Sequence, residues 1–126
     1  MSKICEIIAI IRPTKMLATK KALAEMGLPS FTAVKAFGRG KQGGYVDELG
    51  YRVSPEIIEK AKEMKARFIP KRLLMAVVPE AMVEKVVKTI ISVNQTGKHG
   101  DGKIFVLPVD ESYRVRTGEK DLEALF

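Results

Sequence analysis

Cysteine and histidine are almost missing from this chain of 126 residues, with Cys5 and His99 the only examples. A single thiol excludes an intrachain disulfide, and one Cys with one His cannot form the clustered ligand set of a zinc or iron site. Cys5 lies in an apolar run with no histidine near it in sequence, so it suits core filling better than nucleophilic chemistry. Aromatic residues make up 6%, and the strand-like segments lack the aromatic pair that stacks bases in an RNA-binding module. No apolar run approaches the roughly 20 residues needed to cross a bilayer, and the N-terminus has neither the apolar stretch nor the cleavage site of a signal peptide. A cytoplasmic location without membrane insertion is expected.

Apolar residues are plentiful at 46%, and 22 Lys and Arg stand against 15 Asp and Glu, a net charge of +7. The length suits one domain over 1–126 with one core. A basic surface favours nucleotides, nucleic acid or an acidic protein face, or is simply solvated charge.

The isoleucine-rich run Ile4 to Ile11, stopped at Arg12-Pro13, predicts a buried strand. Lys15 to Met26 predicts a helix with Met16, Ala22, Leu23 and Met26 on one face and Gly27 as its C-terminal cap. Phe31 to Phe37 alternates as a second strand. An interval of roughly thirty residues follows, longer than ordinary connections. It opens with Gly38-Arg39-Gly40-Lys41-Gln42-Gly43-Gly44, which spells G-x-G-x-x-G without the helix start that a dinucleotide site requires. Within it, Ser54 can cap a helix from Pro55 whose stripe Ile57, Ala61, Met64 and Phe68 either packs on its own domain or oligomer or docks on another protein. Arg72 to Val78 predicts a third strand. Pro79 begins a helix with Val83, Val86, Val87, Ile90 and Ile91 on its apolar side, and a fourth strand starts at Lys103. Two βαβ halves in so short a chain imply an α+β, ferredoxin-like βαββαβ sandwich of four antiparallel strands with two helices on one face.

Between the second helix and the fourth strand lies Thr96-Gly97-Lys98-His99-Gly100-Asp101-Gly102-Lys103. Three glycines permit positive φ, while successive N–H groups and Lys103 offer positive charge to a phosphate. The spacing approaches a P-loop, but Ile104 stands where Ser or Thr should hold Mg2+, and the helix precedes the strand instead of following it. The segment is therefore either a nucleotide-phosphate cradle or a tight connection. In the tail, Arg114 and Arg116 would share a side of an extended segment and could grip one phosphate chain, or they are ordinary solvated charge. No nucleophile and base are arranged around the cradle, so an enzyme is not expected.

Thr96 to Val106 and Arg114-Val115-Arg116-Thr117-Gly118-Glu119 together resemble the two signature stretches of the PII signal-transduction family. Ile10-Ile11-Arg12-Pro13, Ala24-Glu25-Met26-Gly27 and Phe37-Gly38-Arg39 extend the resemblance over nearly the whole chain. It implies a homotrimer or hetero-oligomer of ferredoxin-like subunits that binds ATP or ADP between subunits, with Mg2+ carried by ATP and 2-oxoglutarate beside it as a signal of nitrogen status. The implied nucleotide residues are Ile10, Gly38, Arg39, Val77, Gly100, Asp101, Gly102, Lys103, Arg114 and Arg116. Gln42, Lys71 and Gly100 are implied for 2-oxoglutarate, and Gln42 also for Mg2+ if Gly40 or Lys41 is an insertion. The implied parts are a T-loop at about 39–70, a B-loop at about 96–103 and a C-terminal tail at 110–126. The Gly-Arg-Gly-Lys-Gln opening and the extended T-loop resemble the nitrogenase-associated NifI branch, in particular the second subunit of its pair. That branch implies a paired PII-like subunit and dinitrogenase as target, inhibited when nitrogen is sufficient and released when 2-oxoglutarate rises. The alternatives are a PII-type regulator of an ammonium transporter or nitrogen-assimilation enzyme and, more distantly, a ferredoxin-like RNA-binding module. Neither nucleic acid nor membrane insertion is expected under the preferred reading.

Overall fold

A computed structural model describes residues 3–38 and 69–125. The expectations for Arg39, Gln42 and the Ser54-capped helix lie outside the described residues.

Four strands, β1 (Ile4–Ile11), β2 (Thr32–Gly38), β3 (Ile69–Pro79) and β4 (Lys103–Val109), form one sheet in the order β2-β3-β1-β4. Every neighbouring pair is antiparallel. Helices α1 (Met16–Glu25) and α2 (Val83–Asn94) follow β1 and β3, and a short α3 (Leu122–Leu125) ends the described chain. This is the expected βαββαβ order.

β1 is central, so its alternation decides both faces of the sheet. Ile7, Ala9 and Ile11 point to the helices and form the core with Leu74, Ala76 and Val78 of β3, Leu23 of α1 and Val86 and Ile90 of α2. On the opposite face Ile8 lies between Met75 and Phe105, and Ile10 lies between Leu73 and Lys103. That face is turned away from α1 and α2, and Phe105 and Val34 on it remain about half exposed at 48% and 49%. Cys5 is buried and unbonded, as expected of core filler.

Helix α1 stops where Gly27 takes φ 102°. The Leu28 N–H reaches the Leu23 carbonyl at 2.8 Å and the Gly27 N–H reaches Ala24 at 3.1 Å, while buried Leu28 tucks under the helix end. Two boundaries differ from expectation by more than one residue. β3 begins at Ile69, before Arg72, because residues 69–71 pair with β2 alone beyond the end of β1, a setting in which Pro70 is tolerated. α2 begins at Val83 instead of Pro79. Pro79 still pairs with Ile4, and the Glu80 N–H extends that ladder to Lys3 O at 2.9 Å, so a 3-10 turn at Glu80–Met82 has to intervene.

The helices are joined by a buried polar contact. The Asn94 amide donates to the Thr19 hydroxyl at 3.0 Å and to Ile90 O at 2.9 Å, and Thr19 donates onward to Lys15 O.

Candidate functional site

The glycine-rich loop between α2 and β4 is organised around one carboxylate. Asp101 accepts the N–H groups of Thr96 and Gly97 at 2.7 and 2.9 Å, the Thr96 hydroxyl at 2.5 Å and the Arg12 guanidinium. Burial acts to raise its pKa, but the Thr96 hydroxyl and N–H, Arg12 and the Gly97 N–H outweigh it and hold the carboxyl well below the usual carboxylate range. Asp101 therefore turns its side chain inward and closes the loop.

Two cations grip the loop from the sheet. Arg12, just past the end of β1 and 8% exposed, donates to His99 O at 2.9 Å as well as to Asp101. Lys71 of β3, also 8% exposed, donates to Gly100 O at 2.9 Å. Two consecutive carbonyls are thus turned toward the protein. In a trans peptide the following N–H points the opposite way, so the Gly100 and Asp101 N–H groups are directed away from the Arg12 and Lys71 side chains that hold the two carbonyls. Adjacent outward N–H groups form the concavity that attracts anions. Lys103 adds its charge opposite Ile10 at the start of β4.

Gly102 is required by packing. A Cβ there would lie 1.8 Å from Ile10 O, and its φ is 112°. The glycine lets the loop press on the β1 backbone; approach to a ligand is not what demands it.

Several expected residues come together. Ile10, Asp101, Gly102 and Lys103 all border a cavity of about 440 Å³ between α2 and β4. Lys71 touches Gly100, and Gly38 lies beside the Lys71 stem. Val77 sits farther along the same sheet face, opposite Glu6.

The two arginines stand apart from this group and are arranged differently from the extended expectation. The tail leaves β4 where Val109 pairs with Ile4, the end of the sheet opposite Ile10 and Lys103. Residues 114–119 form a turn closed by a Tyr113–Lys120 bridge, with Gly118 N–H on Arg114 O at 2.7 Å and Arg114 N–H on Glu119 O at 2.8 Å. An extended segment would leave the Arg114 N–H and carbonyl without these partners. Arg114 donates to Glu119 at 2.6 Å, whereas Arg116 is exposed at the bend. Arg12 and Thr96 were not singled out by residue chemistry. Thr96 has a local signal, a threonine five residues before an aspartate in a glycine loop, but Arg12 has none.

A four-stranded antiparallel sheet with two helices on one face and a glycine-rich loop at one end defines a small α+β module of ferredoxin-like type. The model of the family Nitrogen regulatory protein P-II matches residues 4–119, and the chain belongs to that family. These are regulatory proteins, not enzymes. The chain is 50% identical over 121 residues to the nitrogen fixation nifHD region GlnB-like protein 2 of Methanothermobacter marburgensis, covering 95% of this chain and 98% of that one. It is 48% identical over 120 residues, with the same coverage, to the nifHD1 region GlnB-like protein 2 of Methanosarcina barkeri. The crystal structure of Arabidopsis thaliana PII bound to citrate superposes with a TM-score of 0.75 at 32% identity, covering 99% of this chain and 92% of that one. No helix among the described residues is long and apolar enough to cross a membrane.

Proposed function

We propose that this chain is a cytoplasmic nitrogen-status sensor that binds ATP or ADP at the Gly100–Lys103 loop and 2-oxoglutarate beside it. On this reading it inhibits dinitrogenase when nitrogen is sufficient and releases it when 2-oxoglutarate is high. The observation that carries the reading is the loop itself, whose His99 and Gly100 carbonyls are held inward by Arg12 and Lys71. The outward N–H groups and Lys103 suit a phosphate chain by charge and by donor chemistry. The nifHD-region names of the relatives support nitrogenase as the target.

Lys71 suits a carboxylate of the oxo acid, because a buried ammonium already committed to the Gly100 carbonyl couples whatever binds it to the phosphate loop. Mg2+ would arrive with ATP. The loop and the arginine turn leave opposite ends of one sheet, so a site that uses both needs two copies. The half-exposed apolar residues Phe105 and Val34 on the sheet face away from α1 and α2 support association with further copies or with a paired PII-like subunit. A ligand can shift the chain between inhibitory and released states only through unequal affinity for the two.

The test is calorimetric titration of 2-oxoglutarate with and without MgATP, on the chain alone and with its paired subunit. Binding that requires MgATP is expected, and absence of binding in both preparations removes the oxo-acid half of the proposal. Lys71→Ala should abolish the 2-oxoglutarate response while sparing ATP binding.

A further inference from the structure

The C-terminal turn carries its own anion. Glu119 accepts Arg114 Nη1 at 2.6 Å and the Thr117 hydroxyl at 2.7 Å through the same oxygen, Oε1. Arg114 Nη2 donates to Glu123 O at 3.2 Å. The backbone bonds between Arg114 and Glu119 and between Gly118 and Arg114 set these side chains against each other whatever their charge. Arg116, one residue beyond Val115 at the bend, is exposed. The two arginines are therefore not equivalent.

We propose that Glu119 is a resident competitor for the phosphate-binding arginine, so that Arg116 meets a polyphosphate first and Arg114 joins only when the ligand displaces the Glu119 carboxylate. This rests on the nucleotide reading above. The chemistry permits the exchange. A guanidinium binds carboxylate and phosphate through the same planar fork, and a terminal phosphate carries more charge than one carboxylate. The Arg114 and Glu119 side chains are 24% and 39% exposed, so the ion pair is wet enough to open at modest cost. Thr117 holds the carboxylate in its competing position, and the effect is to raise the ligand concentration at which the turn closes.

The experiment measures ATP and ADP binding to the full-length oligomer, wild type against Glu119→Gln and Thr117→Val, at several salt concentrations. Glu119→Gln should tighten binding by up to about fivefold, the range expected on removing an exposed ionic competitor. It should also steepen the salt dependence, because one more cation becomes available to the phosphates; a merely structural role would not have that effect. Thr117→Val should shift binding in the same direction by less, and it tests the idea even if Glu119→Gln fails to assemble. Unchanged or weaker binding by the assembled variants overturns this proposal alone. No nucleotide binding by the wild type overturns the nucleotide reading and takes this proposal with it.

Discussion

Two glycine-containing loops of this protein are built alike and anchored differently. Each is closed by a carboxylate that takes a threonine hydroxyl and an arginine: Asp101 with Thr96 and Arg12, Glu119 with Thr117 and Arg114. Arg12 comes from 89 residues away and is 9% exposed at its side chain, whereas Arg114 comes from within the same turn, five residues before its partner. The first loop is bolted to the sheet, whereas the carboxylate of the second is held by residues close to it in sequence. An anion-binding surface gains from the first arrangement, since outward N–H groups are useful only if they are already aimed. A segment that must reach for a ligand gains from the second.

The sharpest way to break the fixed loop is Gly102→Ala. The new Cβ would collide with backbone at Ile10, which has no flexible end to yield, and the φ of 112° is strained for alanine. A loss of about 3 kcal/mol is expected in denaturant unfolding, together with loss of ATP binding. A stable Gly102→Ala protein with normal binding would show that the loop is less tightly seated than described.

The comparison itself is tested by removing each arginine. Arg12→Met removes the only cation paired with Asp101 among the described residues and releases the His99 carbonyl, and should cost about 2 kcal/mol. Arg114→Met breaks a wetter, local pair and should cost under about 1 kcal/mol. Equal destabilisation in the two variants would erase the distinction between a loop bolted to the sheet and one closed by a local ion pair.

The smallest effect is that of acid. The Asp101 pKa is depressed on folding, so its contribution is complete above the unfolded value, about 3.9 for an aspartate, and is lost as pH falls through the lower folded value. Stability of the wild type should decline below about pH 4. Asp101→Asn should be less stable at neutral pH and should lack this part of the acid-dependent decline.

Much of the fold was legible because its signals are local. The alternation of β1, the Gly27 cap and the stripe of α2 each reside in one short segment, and the fold followed from their order. The start of α2 was misread because Pro79 is equally suited to open a helix or to close a strand, and the Ile4 pairing decided for the strand. At the candidate site, the glycines and Lys103 were legible in their spacing, while the paired state of Arg114 was not, since two arginines in a tail look alike until the turn selects one.

By itself, the amino-acid sequence determined the order of elements, the need for positive φ in the loop and the family to which the chain belongs, all of which are properties of neighbouring residues. Only the tertiary structure decided that Arg12 closes the loop, that Lys71 turns the Gly100 carbonyl inward, and that the arginine turn leaves from the far end of the sheet. Those contacts depend on the register of β1 against β3 and β4, which brings together residues that no local pattern links.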